Sequence, residues 1–260
     1  MIRNFFIKFN WILSSQFGLS PQIFFRSVRG IVIFFKDYMK FKKNYVGKIT
    51  LKPCLHDRYE EGGTTKSEYF WQDLIVARWI CEAKPIRHVD VGSRVDGFVA
   101  HVASFREIEV FDVRTVTTKI PGIVFKQADM MQSRYLNKGY CDSISCLHAL
   151  EHFGLGRYGD PIDPDGYKKG IFNMASLLEK NGIFYLSVPI GKERVEFNAN
   201  HVFDPKTIIE LAKLNKLKVK NLTVISSYGD ISEIPLEMDE LNRLAQLHYN
   251  LGIFTCIKQS

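Results

Sequence analysis

The sequence contains no run of the about 18 consecutive apolar residues that a spanning helix needs, so no transmembrane segment is expected. Its apolar start, 2–13, is interrupted by Arg3, Asn4, Lys8 and Asn10 and offers no small-residue cleavage site. No signal peptide is therefore expected, and the cytoplasm is the expected compartment. Cysteine is sparse: Cys54, Cys81, Cys141, Cys146 and Cys256 form no Cys-x-x-Cys pair and no zinc spacing. Such a set reads as reduced thiols rather than a disulfide framework. Charge of one sign is almost missing from one region. Residues 1–48 hold nine basic residues (Arg3, Lys8, Arg26, Arg29, Lys36, Lys40, Lys42, Lys43, Lys48) against a single acid, Asp37. The chain's net +7 is concentrated there, leaving the remainder close to neutral.

What is present in those first residues is helical patterning. Two stretches meet at Gly18–Pro21, and in the second Phe24, Val28, Ile31, Phe35 and Tyr38 recur at helical spacing. Arg26, Arg29, Lys36, Lys40 and Lys43 share a different face, among twelve aromatics. Residues 1–48 thus read as a basic amphipathic extension. One reading lays residues 1–45 on an anionic membrane surface, making the protein peripheral at the inner face of the membrane. The other makes the segment a helical cap on the main domain, with its basic face solvated. Nucleic acid is not an expected partner, because the charge stays on one helix face and no nucleic-acid motif accompanies it.

Residues 49–66, with Pro53 and Gly62 to Thr65, read as a linker or lid. From residue 67 to 260 strand and helix patterns alternate, which predicts an α/β domain: a doubly wound, Rossmann-like, mostly parallel sheet of seven strands with helices on both faces. Strands are expected at 86–91, 108–111, 123–126, 143–147, 183–188, 217–226 and 251–257. Helices are expected at 69–81, 96–105, 167–179, 205–214 and 236–247.

Chemistry gathers at the ends of these strands. The first runs into Asp90-Val91-Gly92-Ser93-Arg94-Val95-Asp96-Gly97, a sharp turn that lets backbone N–H groups approach a ligand at a helix start. Its spacing is not Gly-x-Gly-x-x-Gly, and Phe98 stands where a P-loop needs Lys, which sets aside a dinucleotide dehydrogenase and an NTPase. Asp112 ends the second strand, followed by Val113, where a carboxylate accepts from both hydroxyls of a ribose. Asp129 and Met130 follow the third, placed for an adenine amino group and ring. This order resembles the class I S-adenosylmethionine-dependent methyltransferase superfamily over residues 68–257. The resemblance implies S-adenosyl-L-methionine as cofactor, held by Asp90, Gly92, Ser93, Arg94, Gly97, Asp112, Val113, Asp129 and Met130. The superfamily's turn usually reads Asp-x-Gly-x-Gly-x-Gly; here Arg94 and Asp96 replace the later glycines. Arg94 is a candidate for the methionine carboxylate or an anionic substrate.

The stretch from Asp142 to Pro164, which includes His148-Ala149-Leu150-Glu151-His152, is more specific. With Val188-Pro189-Ile190-Gly191 and the run from Phe197 to Phe203, it resembles a bacterial and nematode family catalogued as a domain of unknown function. Bacterial members resemble neighbours in surface-polysaccharide pathways, which implies a sugar or glycan-linked acceptor. Ligands of doubly wound sheets bind outside the carboxyl ends of strands, where His148, Glu151 and His152 fall. His152 is the expected general base, having an ordinary pKa of about 6.5, with Glu151 as its orienter and His148 against the cofactor. Arg157, Asp160, Asp163, Arg194, Asn198 and His201 are the expected acceptor contacts, the arginines for their fork of donors. Asp160, Asp163 and Asp165 form a carboxylate cluster suited to Mg²⁺ or Ca²⁺. They lack the EF-hand pattern and are also ordinary turn residues beside Pro and Gly, so no metal site is assigned. The leading expectation is a methyltransferase acting on a sugar oxygen. The alternatives are a non-catalytic nucleotide- or glycan-binding protein, or a nucleotide-sugar modifying enzyme on the same scaffold.

Overall fold

In a computed structural model of the chain, residues 2–63, 65, 67–132, 138–227 and 229–260 are described, the side chains of 2–9 excepted. Thr64 and Lys66 of the expected linker, and the side chains of Arg3 and Lys8, lie outside the described residues. The chain divides into two compact units, Met1–Thr64 and Thr65–Ser260.

In the first unit, helices α1 (Ile2–Phe17) and α2 (Pro21–Asn44) are separated by Gly18, whose φ is +67°, and by Ser20, which caps α2 ahead of Pro21. Segment 51–59 returns along α2. The Leu55 carbonyl approaches so closely that a Cβ on Gly30 would lie 1.9 Å from its oxygen, and Arg58 pairs with Asp37 at 2.7 Å. The expected linker contains one 3₁₀ turn, Asp57–Tyr59. Among the described residues no helix is long and apolar enough to cross a membrane.

The second unit opens with α3 (Glu68–Ala83), whose cap Ser67 accepts from the Tyr69 amide. The strands are β1 (His88–Val91), β2 (Ile108–Asp112), β3 (Ile123–Gln127), β4 (Cys141–Leu147), β5 (Leu178–Ile190), β6 (Arg194–Glu196), β7 (Asn200–Val202), β8 (Leu217–Ser226), β9 (Ile231–Ile234) and β10 (Asn250–Lys258). Eight of them form one sheet in the order β3-β2-β1-β4-β5-β10-β8-β9. β1 to β5 pair in parallel, whereas β10 enters antiparallel between β5 and β8. That insertion departs from the 3-2-1-4-5-6 order of dinucleotide-binding sheets. β1 and β4 are buried almost throughout, as strands covered on both faces must be.

One core lies between the sheet and α3 with α4 (Ala100–Ala103), and contains Val76, Ile80, Phe98, Val102, Tyr185 and Ile253. The other lies under α5 (Gly166–Leu177), α6 (Pro205–Leu214) and α7 (Met238–Gln246), and includes Met174, Phe184, Ile208, Leu244 and Phe254. The sheet has eight strands rather than the expected seven, because the exposed edge strand β9 shows no apolar alternation. β6 and β7 form a separate hairpin. The helix expected at 96–105 is a π-type turn, Val95–Val99, broken at Gly97 (φ −123°, ψ −112°) and followed by the short α4.

Candidate active site

The turn after β1 is built from below. Gly92 has φ +75°, and a Cβ there would stand 2.8 Å from the Ala149 Cβ. Asp90 is fully buried beneath it. Its carboxylate accepts from the Ser93 amide (3.0 Å), the Ser93 hydroxyl (2.7 Å) and the Ser145 hydroxyl (2.6 Å). Because Ser145 donates to Asp90, its oxygen is left to accept from His88 Nε2 (3.1 Å), and Ser143 then donates to His88 Nδ1 (2.8 Å). Asp90 therefore ties the turn to β4 rather than facing a ligand.

Burial pushes the Asp90 carboxyl up to about 7 against its serine donors, and pushes His88 down to about 3, helped by Arg106. A carboxyl raised on folding costs stability as pH climbs from its unfolded value towards 7; a histidine depressed on folding costs stability as pH falls from 6.5 towards 3. Between about pH 4 and 6.5 the two slopes oppose. Asp90→Asn is accordingly expected to gain on the wild type as pH rises from 4 to 7, read from urea midpoints. A difference independent of pH would refute this.

Above the turn, residues at the carboxyl ends of β1 to β4 line one cleft of about 370 Å³, at the point where strand order reverses. Gly92, Ser93, Arg94, Asp112, Val113, Asp129, Met130, His148, His152, Arg157 and Asp160 all border it. Asp112 is buried and held by Arg114: the Arg114 amide (2.8 Å) and Nε (3.0 Å) donate to Oδ1, and Nη2 (2.6 Å) donates to Oδ2. The Tyr158 ring covers that guanidinium at 4.7 Å. Asp129 accepts from the Met131 amide and the Gln132 side chain, which fixes its carboxylate. Arg94 is spent on the exposed Asp96, at 2.7 Å.

The histidines meet through Glu151 rather than along a helix. His148 has φ +51°, and Leu150–His152 is only a 3₁₀ turn, so the two imidazoles do not share a helical face. Glu151, 1% exposed, accepts from His148 Nδ1 at 2.7 Å but lies 3.7 Å from His152 Nε2. Glu68 stands 3.4 Å from His148 Nε2 and accepts from the Tyr249 hydroxyl at 2.6 Å; Tyr69 stacks on the imidazole at 4.4 Å. Burial alone would depress His148, but Glu151 and Glu68 outweigh it and hold the imidazolium up at about 9.

His152 is the reverse case. Burial lowers its pKa, Glu151 opposing and Arg157 assisting. Its Nδ1 donates to the Ala199 carbonyl at 2.6 Å, in the turn between β6 and β7. The same carbonyl accepts from Arg157 Nη1 at 3.0 Å, so the 3.3 Å contact between Arg157 and Nδ1 is a meeting of two donors. This tautomer leaves the lone pair on Nε2. The expected orienter of His152, Glu151, thus serves His148, and a main-chain carbonyl orients the His152 ring instead.

Several expected residues lie off the cleft wall. Gly97 makes room for Asp73, since a Cβ there would sit 2.7 Å from Asp73 Oδ2. Asp163 pairs with Lys169 and Asp165 with Lys168, while Asp160, which does border the cleft, accepts from the amides of Gly154, Gly156 and Tyr158. The three acids are thus engaged separately, and among the described residues no group of three or more His, Cys, Asp or Glu is placed to hold a metal. Arg194 bonds Glu196 and the carbonyls of Lys192 and His248. Asn198 is exposed in the β6–β7 turn. His201 is buried against Phe203 and Tyr167, its Nε2 without a hydrogen-bond partner. Gly154, Gly156 and Gly159 reproduce Gly-x-Gly-x-x-Gly spacing, but in a loop rather than between strand and helix, so the dinucleotide context fails.

Sequence reasoning missed the α3 contribution of Tyr69, Gln72 and Asp73, which all face the cleft. Their i, i+3, i+4 spacing on a helix that is otherwise apolar on its buried side was the available signal.

Residues 102–253, more than half the chain, match the family described as Caenorhabditis protein of unknown function, DUF268. The chain belongs to this family. No curated protein matches the DUF268 chain in sequence. Among solved structures it is similar to the [4+2]-cyclase SpnF, at 13% identity, TM-score 0.51, and 71% and 80% coverage of the two chains. It is similar to a Burkholderia thailandensis 1,6-didemethyltoxoflavin-N1-methyltransferase bound to S-adenosylhomocysteine (12%, 0.50, 93% and 92%). A third is a putative sarcosine dimethylglycine methyltransferase from Galdieria sulphuraria (12%, 0.51, 72% and 84%). The DUF268 chain therefore has the methyltransferase Rossmann-like fold, one that a cyclase also uses, so fold alone does not fix the reaction.

Proposed function

We propose that this DUF268 protein is a cytoplasmic S-adenosylmethionine-dependent methyltransferase that methylates an oxygen of a sugar or glycan-linked acceptor. The observation carrying this reading is the cleft itself. A glycine turn that tolerates no Cβ, the carboxylate of Asp112 and that of Asp129 follow one another at three strand ends, with a neutral, oriented histidine beside them. These residues fit the cofactor: the turn would take the sulfonium amino acid, Asp112 the ribose, and Asp129 with Met130 the adenine. When bound, the cofactor supplies an electrophilic methyl group. His152 Nε2 is placed to take the proton of the acceptor hydroxyl, and the buried pair of Glu151 and His148 packs beside it. Tyr69, Tyr158 and Arg157 present aromatic faces and a fork of donors suited to a polyhydroxylated acceptor.

Calorimetry with S-adenosylhomocysteine is expected to show binding. Asp112→Ala should weaken it by about 1–3 kcal/mol, the cost of leaving ribose hydroxyls unpaired. No heat at millimolar ligand would end the proposal. The grip of Arg114 on Asp112 supports a second reading, because it engages both carboxylate oxygens and puts a guanidinium fork at the cleft that suits a diphosphate: a nucleotide-sugar modifying enzyme, or a non-catalytic nucleotide or glycan carrier. Binding of a uridine diphosphate sugar with silence towards S-adenosylhomocysteine would select it.

A further inference from the structure

The first unit carries an apolar surface for which the reaction has no use. On α2, Ser27, Gly30, Ile33, Phe34 and Tyr38 are buried or half-buried, and the Leu55 carbonyl closes on Gly30. Phe25, Val28, Val32, Phe35 and Met39 recur at intervals of three and four residues and are exposed, Val32 to 74% and Phe25 to 65%. At 100° per residue, Arg29, Lys36, Lys40 and Lys43 run along one flank of that stripe. A stripe of large apolar side chains bordered lengthwise by a cationic row is the pattern of a helix lying in a lipid interface: the apolar row reaches the acyl boundary while lysine and arginine stems extend towards headgroups. On α1, Trp11 and Phe17 add exposed aromatics of the kind that prefer this depth.

We propose that this face of α2 docks the protein on an anionic lipid surface. The charge decides the occupant. The stripe has heptad-like spacing and so invites a second copy, but then Arg29, Lys36 and Lys43 would flank the seam with no acid to meet. The only acid in the first 48 residues is Asp37, and Arg58 already holds it. A surface of anionic headgroups supplies the missing charge continuously and is worth about five-fold in affinity per basic residue. The proposal is independent of the reaction in the cleft.

The test uses the full chain and co-sedimentation with vesicles of phosphatidylcholine alone or mixed with phosphatidylserine. Binding is expected only to the mixed vesicles, falling as salt rises. The Lys36→Gln/Lys40→Gln/Lys43→Gln variant keeps good helix formers on exposed sites, and should bind roughly a hundred-fold more weakly by the same per-residue figure. Val32→Ser/Phe35→Ser should lose binding while its far-UV circular dichroism stays unchanged. Equal binding to both vesicle types, no binding to either, or an unchanged triple-glutamine variant would overturn the proposal. So would a dimer that Val32→Ser/Phe35→Ser dissolves, since the stripe would then be a self-association seam.

Discussion

His152→Gln is expected to lower the rate of methyl transfer by about 10²- to 10⁴-fold, the usual contribution of a positioned general base. S-adenosylhomocysteine affinity should be unchanged, because the residues proposed to hold the adenosyl group lie at other strand ends. The reasoning is geometric before it is electrostatic. Nδ1 is committed to the Ala199 carbonyl, so the ring is fixed in the tautomer whose Nε2 lone pair is available. Burial holds its pKa below the ordinary histidine value, so the ring is neutral at pH 7 and ready to accept a proton. The wild-type rate should then rise with pH through a value below 6.5 and be level at neutrality, while the residual rate of His152→Gln should show no such limb. A loss of less than ten-fold, or an acid limb that survives the substitution, would move the base elsewhere. His148 is a poor substitute, being charged at neutral pH and hydrogen-bonded at Nδ1 to Glu151.

The parts of the molecule legible in the sequence are those governed by local pattern. β1, β2 and β4 read as buried strands because both faces are covered and the residues are apolar in short runs. Asp112 and Asp129 stood out in the sequence by their place at strand ends, and both border the cleft. β9 was invisible because an exposed edge strand such as Ile231–Ile234 needs no apolar face. The partners of the histidines were misread for a different reason. Spacing of four residues suggests a shared helical face, but His148 adopts positive φ and the chain turns too tightly for that geometry. A carboxylate next to a histidine in sequence also invites pairing of neighbours, whereas Glu151 reaches back to His148. The true orienter of His152 is a carbonyl 47 residues away, and a backbone group has no sequence signature. Likewise Asp90 and Asp112 look equivalent as acids at strand ends. Only the packing shows that serines enclose one while the other borders the cleft beneath Arg114.

Glu151→Ala is expected to destabilise the second unit by about 3–5 kcal/mol, the range for removing one partner of a buried ion pair. The pair is enclosed: Glu151 is 1% exposed and His148 lines the cleft at 5% side-chain exposure. Linkage separates this loss from simple cavity formation. His148 is raised on folding to about 9, so its contribution is complete below pH 6.5 and is lost as pH rises towards 9. Glu151 is lowered on folding, so its contribution is present above its unfolded value of 4.5 and is lost as pH falls through the folded one. The wild type should therefore lose urea resistance between pH 6.5 and 9. Glu151→Gln, which keeps the volume but not the charge, should lose most of that slope, because Glu68 alone supports His148 less well. If the two proteins keep parallel pH curves, the histidine is neutral in the folded state and the cation assigned to the cleft floor is absent. The acceptor oxygen would then meet two neutral imidazoles, and the distinction between base and anchor that separates His152 from His148 would vanish with it.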